Sequence, residues 1–312
     1  MDVFAKLVDP QDTVLSHLKE GSRLDGRGFD QSRGVAVQVG VFGDGNGNCR
    51  CNSSSAMAKK GSVTVVCTTT AELSEPEVEA PDVGIFRLSA RQGGVNSADD
   101  SSSPALTELA ESLTSLFAYR SGSPLLDYRS LSILEGRLCW FLNCELLFVG
   151  SEEEADATAL LDVALCALTA ALSSLRLAKV TVDEEKFTSL KPGANSAITV
   201  DAEEATPAPL MDVPVATLFS VFADAKQQNL VVLADPTAEE LSALGNCASL
   251  VVGSEGALYA VAIRSGKFHE ANATTAAPEN HLEECNALAK QRQEKIRGAI
   301  EKAADAHLLK QK

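Results

Sequence analysis

The chain is short of positive charge. Of its 312 residues, 27 are Lys or Arg and 43 are Asp or Glu, a formal net charge of −16. Nucleic-acid affinity comes largely from cations that release counterions at phosphates, roughly one unit of salt slope per contact. A chain this acidic binds RNA poorly alone, so any work on RNA needs positive field from partner surfaces. Histidine is scarce as well: the four, at 17, 269, 281 and 307, fall outside the predicted core strands. None has a metal-ligand spacing or a Ser or Cys partner, which argues against metal and nucleophilic hydrolase chemistry. No apolar run approaches the about 18 residues of a membrane span, and Met1 to Lys6 lacks the apolar core of a signal peptide. These absences predict an intracellular, soluble chain with no membrane partner.

Cysteine is present but unpaired. Of the eight, Cys49-x-Cys51 has no second pair to complete a zinc site. Five (67, 139, 144, 166 and 285) lie in predicted strands or helices, as buried free thiols of a reducing compartment would. No metal or cofactor is expected. Hydrophobic residues make up 45%, enough for a substantial core in one large domain or two packed halves.

The organising stretch runs from Ser22 to Asp82. After Arg23-Leu24-Asp25-Gly26-Arg27, Val35, Val37, Val39 and Val41 alternate at period two, which predicts a strand with one buried face. The glycines at 43, 45 and 47 permit a reversal into a second strand; their spacing is wrong for a dinucleotide site. Ser62 to Thr68 is β-branched nearly throughout, as in a central strand. Residues 71–82 then carry Glu72, Glu75, Glu77, Glu79 and Asp82 with no Lys or Arg, which reads as a solvated loop.

These residues resemble the N-terminal half of an RNase PH domain: the Arg-x-Asp-Gly-Arg opening, Arg33 before the valines, Gly61 to Cys67, Ala71-Glu72, and Pro81-Asp82-x-Gly84. Within that family the chain resembles the eukaryotic exosome ring subunits of the catalytically degenerate type. The likeness runs to about residue 265 and is poor over 85–120.

Elsewhere the periodicity predicts a helix over 10–20, a flexible loop over 91–104, a helix over 104–119 and a long strand over 137–149. A helix from 155 to 175 and a strand near 180–182 follow, then a polar linker over 184–210. Four strands (214–222, 229–234, 250–253 and 257–264) and a helix over 280–306 complete the chain. Strands then helix, twice, give an α+β class with two pseudo-repeated halves, as in the RNase PH-like fold of mixed sheet packed with helices. The expected boundaries are an N-terminal helical segment (1–21), a first half (22–190) and a second half with the C-terminal helix (191–312).

The resemblance implies two catalytic devices. One is a Gly-Ser/Thr-Arg turn opening the central helix, where N–H groups, the helix dipole and a guanidinium hold phosphate. That turn corresponds to Glu152 to Thr158, which has no Gly and no Arg. The dipole favours an anion by about 0.3–1 kcal/mol. Each carboxylate at about 4 Å opposes it by roughly 1 kcal/mol even in water, so the three glutamates win. The other device is an aspartate-rich segment. Asp235-Pro236-Thr237-Ala238-Glu239-Glu240 matches its first part, but no aspartate lies between Asp235 and Glu255. Asp235 is also readable as a turn-forming cap before Pro236.

The resemblance therefore implies no catalytic residues and a structural subunit of the exosome core ring, scaffolding 3′-to-5′ RNA degradation and processing by partner nucleases. Implied partners are other RNase PH-like subunits in a hexameric hetero-oligomeric ring, S1/KH cap subunits, a hydrolytic exoribonuclease and RNA in the channel. The implied location is nucleus, nucleolus and cytoplasm. Arg87, Arg91 and Arg120 are the candidate RNA contacts, though Arg120 at a helix C-terminus is equally explained by the dipole. The rival readings are an active phosphate-dependent 3′-to-5′ exoribonuclease and a stand-alone acidic protein-binding module.

Overall fold

A computed structural model describes residues 9–42, 51–93, 104–119, 125–149, 157–183, 197–223, 230–265 and 281–311. Two compact units form, each from separated stretches. The first takes Met1–Val35, Ser151–Asp162 and Pro214–Arg297; the second takes Ala36–Gly150, Val163–Val213 and Gly298–Lys312.

In the first unit, helix α1 (Pro10–Glu20) starts where the Asp9 carboxylate accepts from the Asp12 N–H and stops at left-handed Gly21. These caps satisfy end groups that a helix cannot pair internally. Its Val14 and Leu18 pack with Phe222, Leu233 and Leu244. A four-stranded antiparallel sheet has the order β10 (Leu230–Ala234), β9 (Val215–Ala223), β11 (Asn246–Val252), β12 (Leu258–Ser265). Its other face, led by Phe219, Val221, Val232 and Leu250, packs against Cys285 and Ala289. Both belong to the long C-terminal helix α5 (Leu282–Gln311).

In the second unit the strand order is β1 (Ala36–Val39), β2 (Ser53–Lys60), β3 (Val63–Ser74), β6 (Leu138–Val149), β4 (Ile85–Gln92), with β5 (Ser132–Leu134) also on β6. β4 runs parallel to β6; the other pairs are antiparallel. Helix α2 (Pro104–Phe117) meets β4 through stacked Phe86 and Phe117 rings, 5.2 Å apart. Helix α3 (Ala157–Ser174) is buried all round from Leu160 to Leu172, as expected of a helix apolar on every face. Each such leucine contributes about 1.5–3 kcal/mol of transfer free energy.

Three expectations need correction. The valine strand is only four residues long, and of its valines only Val39 is buried, because β1 is an edge paired on one side. β3 continues through Glu72 to Ser74, so the solvated loop begins later than its charge suggests; pairing with β6 as far as Ser74↔Cys139 holds it extended. The polar stretch over 184–210 is not all linker: Ile198–Pro207 is β8, paired antiparallel with β7 (Arg176–Val182). β8 is exposed over most of its length, so its sequence lacks the apolar alternation that marks a half-buried strand.

Candidate functional site

The Arg-x-Asp-Gly-Arg opening and the Asp235 segment, far apart in sequence, come together in the first unit. Gly26 at φ +77° closes a turn in which its N–H donates to the Arg23 carbonyl. Left-handed backbone is cheap for glycine, and this turn sends Arg23 and Arg27 toward the same target.

Arg23 is fully buried and its donors are all engaged. Nε donates to Glu240 Oε1 (3.0 Å) and Nη2 to Glu240 Oε2 (2.7 Å), a bidentate fork. The remaining N–H groups reach the carbonyls of Ala234, Asp235, Gly28 and Gln31. Glu240 also accepts from the Thr237 N–H and so completes the capping box of the short helix α4 (Ala238–Leu244).

Asp235 is 1% exposed and stands at φ +48°, a conformation that Asp tolerates better than most residues. Its carboxylate accepts four hydrogen bonds. Oδ2 accepts from the Arg33 N–H (2.8 Å), Arg33 Nε (2.9 Å) and Arg27 Nη1 (3.2 Å); Oδ1 accepts from Arg33 Nη2 (2.8 Å). The bond to Asp235, the largest influence, raises the Arg33 pKa against the opposing effect of burial. Burial pushes the Asp25 carboxyl upward, but bonds from the Arg27 N–H and guanidinium outweigh it and leave its pKa lowered. Two guanidinium groups thus converge on one buried carboxylate and balance its charge. Asp235 forms a turn, as one sequence reading had it, but the helix cap is Thr237, and the Asp235 side chain anchors arginines.

A second buried pair joins Asp162 Oδ2 to Arg292 Nη2 at 2.5 Å. Arg292 also donates to the Ala216 carbonyl (2.7 Å) and Thr217 Oγ1 (3.2 Å). Sequence reasoning passed over Arg292 and the Arg23–Glu240 pair. A signal for the first existed: Arg292 falls on the apolar stripe of Cys285, Ala289, Ile296 and Ile300. The counted charges of this region, Arg23, Arg27, Arg33 and Arg292 against Asp25, Asp162, Asp235 and Glu240, cancel.

Of the RNA-contact candidates, Arg87 and Arg91 share one exposed face of β4, opposite Asn143 and Leu147 of β6. The Arg87 guanidinium lies 5.3 Å from the Phe141 ring centroid. Arg91 Nε contacts Glu145 Oε1 at 2.8 Å, on side chains 62% and 37% exposed; such a pair is worth little. Arg120 and the turn from Glu152 to Asp156 lie outside the described residues. The seven cysteines among the described residues are all buried. Among the described residues no group of His, Cys, Asp or Glu could hold a metal, and no helix is long and apolar enough to cross a membrane.

No protein-family profile matches the sequence. Similar proteins are the exosome complex component rrp45 of Schizosaccharomyces pombe (28% identical over 231 residues, 73% of this chain and 69% of that protein) and RRP45 of Saccharomyces cerevisiae (25% over 213 residues, 67% and 61%). Rrp42 of Pyrococcus abyssi is 25% identical over 251 residues, 80% of this chain and 81% of that protein. The chain thus spans under two thirds of the budding-yeast relative. Among solved structures, an Archaeoglobus fulgidus exosome with RNA bound to its active site superposes with a TM-score of 0.63 at 22% identity, covering 92% of this chain and 96% of that one. Rice Rrp46 superposes at 0.52 and 16% identity, covering 91% and 100%. The chain has the RNase PH-like fold of exosome core subunits, and exosome components are its relatives in sequence.

Proposed function

We propose that this chain is a non-catalytic structural subunit of an exosome-type core ring. It would scaffold 3′-to-5′ RNA degradation and processing, including rRNA maturation and mRNA decay, by partner nucleases in nucleus, nucleolus and cytoplasm. The observation that carries this reading is Asp235: the aspartate that matches the family's catalytic segment is buried and neutralised by Arg27 and Arg33. The absence of Gly and Arg from Glu152 to Thr158 supports it from the sequence. The two sequence halves would act as pseudo-equivalent repeats, joined in a hexameric ring to other RNase PH-like chains, capped by S1/KH subunits and served by a hydrolytic exoribonuclease. With a net charge of −16, the chain would contribute Arg87 and Arg91 to an RNA path whose field comes mostly from neighbours.

The test is native mass spectrometry of the tagged chain purified from its own cells, beside a phosphate-dependent RNA decay assay on the isolated chain. The expected result is a multi-subunit assembly and no nucleoside diphosphate from the isolated chain. A free monomer overturns the ring reading, and diphosphate release by the isolated chain overturns the non-catalytic one.

A further inference from the structure

Strands β11 and β12 are joined by the turn Gly253-Ser254-Glu255-Gly256. Its Gly253 N–H donates to the Ala257 carbonyl (2.7 Å) and its Gly256 N–H to the Gly253 carbonyl (3.2 Å). Glu255 and Gly256 stand at φ +59° and +83°. Glu255 is exposed and Ser254 is half-buried, so the hydroxyl sits at the accessible tip of a hairpin.

Two cations of α5 meet this turn. Arg297 donates from Nη1 to Ser254 Oγ at 2.9 Å. The Lys290 stem runs beside Gly256, where an added Cβ would lie 3.4 Å from Lys290 Cδ. Seven residues are two helical turns, so Lys290 and Arg297 project from one face, and both are exposed. The turn itself carries one charge, Glu255. Glu294 and Glu301, three and four residues from Arg297, offset part of the positive charge in the unmodified chain. Thr217 receives a similar bond from Arg292 but is 1% exposed, which closes it to an enzyme.

We infer that Ser254 is a phosphorylation site with Lys290 and Arg297 as its preformed receptor, so that phosphate clamps the β11–β12 turn to α5. A guanidinium that already donates to a hydroxyl is placed to donate to a phosphate on that hydroxyl. Phosphate adds a charge of about −1.5 to −2 and three acceptor oxygens, and opposite an arginine it makes about one to three charge-assisted bonds. The donor is a nucleoside triphosphate bound to a protein kinase. The bond from Ser254 Oγ to the γ-phosphorus forms, and the bond from that phosphorus to its bridging oxygen breaks. The nucleoside diphosphate leaves, and the hydroxyl proton passes to the kinase's base. None of this depends on the ring reading.

The test uses the tagged full chain purified from its own cells with phosphatase inhibitors present. Tandem mass spectrometry is expected to find phosphate on Ser254. Hydrogen exchange read by mass spectrometry then compares that preparation before and after phosphatase treatment. The peptide from Leu250 to Leu258 is expected to exchange about tenfold more slowly while phosphorylated. Lys290→Ala/Arg297→Ala, shown to fold by circular dichroism, is expected to abolish the slowing even where Ser254 carries phosphate. Ser254 found unmodified overturns the site. A phosphorylated turn that exchanges as fast as the unmodified one, or a slowing that survives in the double variant, overturns the receptor.

Discussion

Arg23 and Glu240 stand 217 residues apart in sequence and form a bidentate ion pair whose side chains are 0% and 3% exposed. Because Glu240 also caps α4, one carboxylate ties the N-terminal segment to the turn after β10. Breaking a buried pair from one side leaves an uncompensated charge, at a cost of about 3–5 kcal/mol. Glu240→Gln is expected to lower stability by that order, and urea denaturation followed by circular dichroism reads it. A loss under about 1 kcal/mol would mean that solvent reaches the pair.

Asp235→Asn keeps the side-chain shape and tolerance of φ +48° but removes the charge that holds Arg27 and Arg33. Stability is expected to fall by about 3 kcal/mol or more. RNA decay by an assembly that still forms around the variant is expected to stay at its wild-type rate. Loss of turnover without loss of stability would make Asp235 a catalytic group.

Arg87→Ala/Arg91→Ala is expected to weaken RNA binding by the assembled complex and to lower its salt slope by roughly one unit per lost phosphate contact. Filter binding across a salt series measures both. An unchanged slope would leave Arg87 with its Phe141 contact and no phosphate.

Burial pushes the Cys144 thiol from 9.0 up to about 12, and Cys67 shifts the same way, mainly by burial. A folded-state pKa above the unfolded one stabilises below the unfolded value and is lost as pH rises toward the folded value. The urea midpoint is therefore expected to hold at pH 8 and fall from pH 9 upward. Replacement of Cys144 by Ala should flatten that fall. At pH 8 the native thiols should resist alkylation that the unfolded chain undergoes rapidly.

Gly40 stands at φ +71°, and a Cβ there would clash with the His307 ring. Gly40→Ala is expected to cost about 1–2 kcal/mol from backbone strain alone, plus the displacement of the ring. Thermal melts of Gly40→Ala with and without His307→Ala separate the two, and the double variant should recover only the steric part.

Much of the architecture was legible in residue order. Helix α1, helix α2, β6 and helix α3 fall where periodicity places them, because an element whose buried face is set by its own residues carries that face as a pattern. The Asp-Gly-Arg opening and the Asp235 segment were each visible as well. Strand β4, by contrast, alternates Ile85, Phe86, Arg87 and Leu88 without a clean period and sits in the stretch where the family likeness is poor. Strand β8 is too exposed to alternate, and α4 is shorter than two full turns.

Composition and local pattern determined by themselves the α+β class, the acidic surface, the thiol-rich core and the lack of Gly and Arg ahead of α3. Only the tertiary structure decided that Asp235 and Glu240 answer Arg23, Arg27 and Arg33. Local sequence encodes which face an element buries, through the period of its own side chains. Which distant charge neutralises a buried guanidinium depends on where the folded backbone delivers it, and no spacing over 200 residues carries that information.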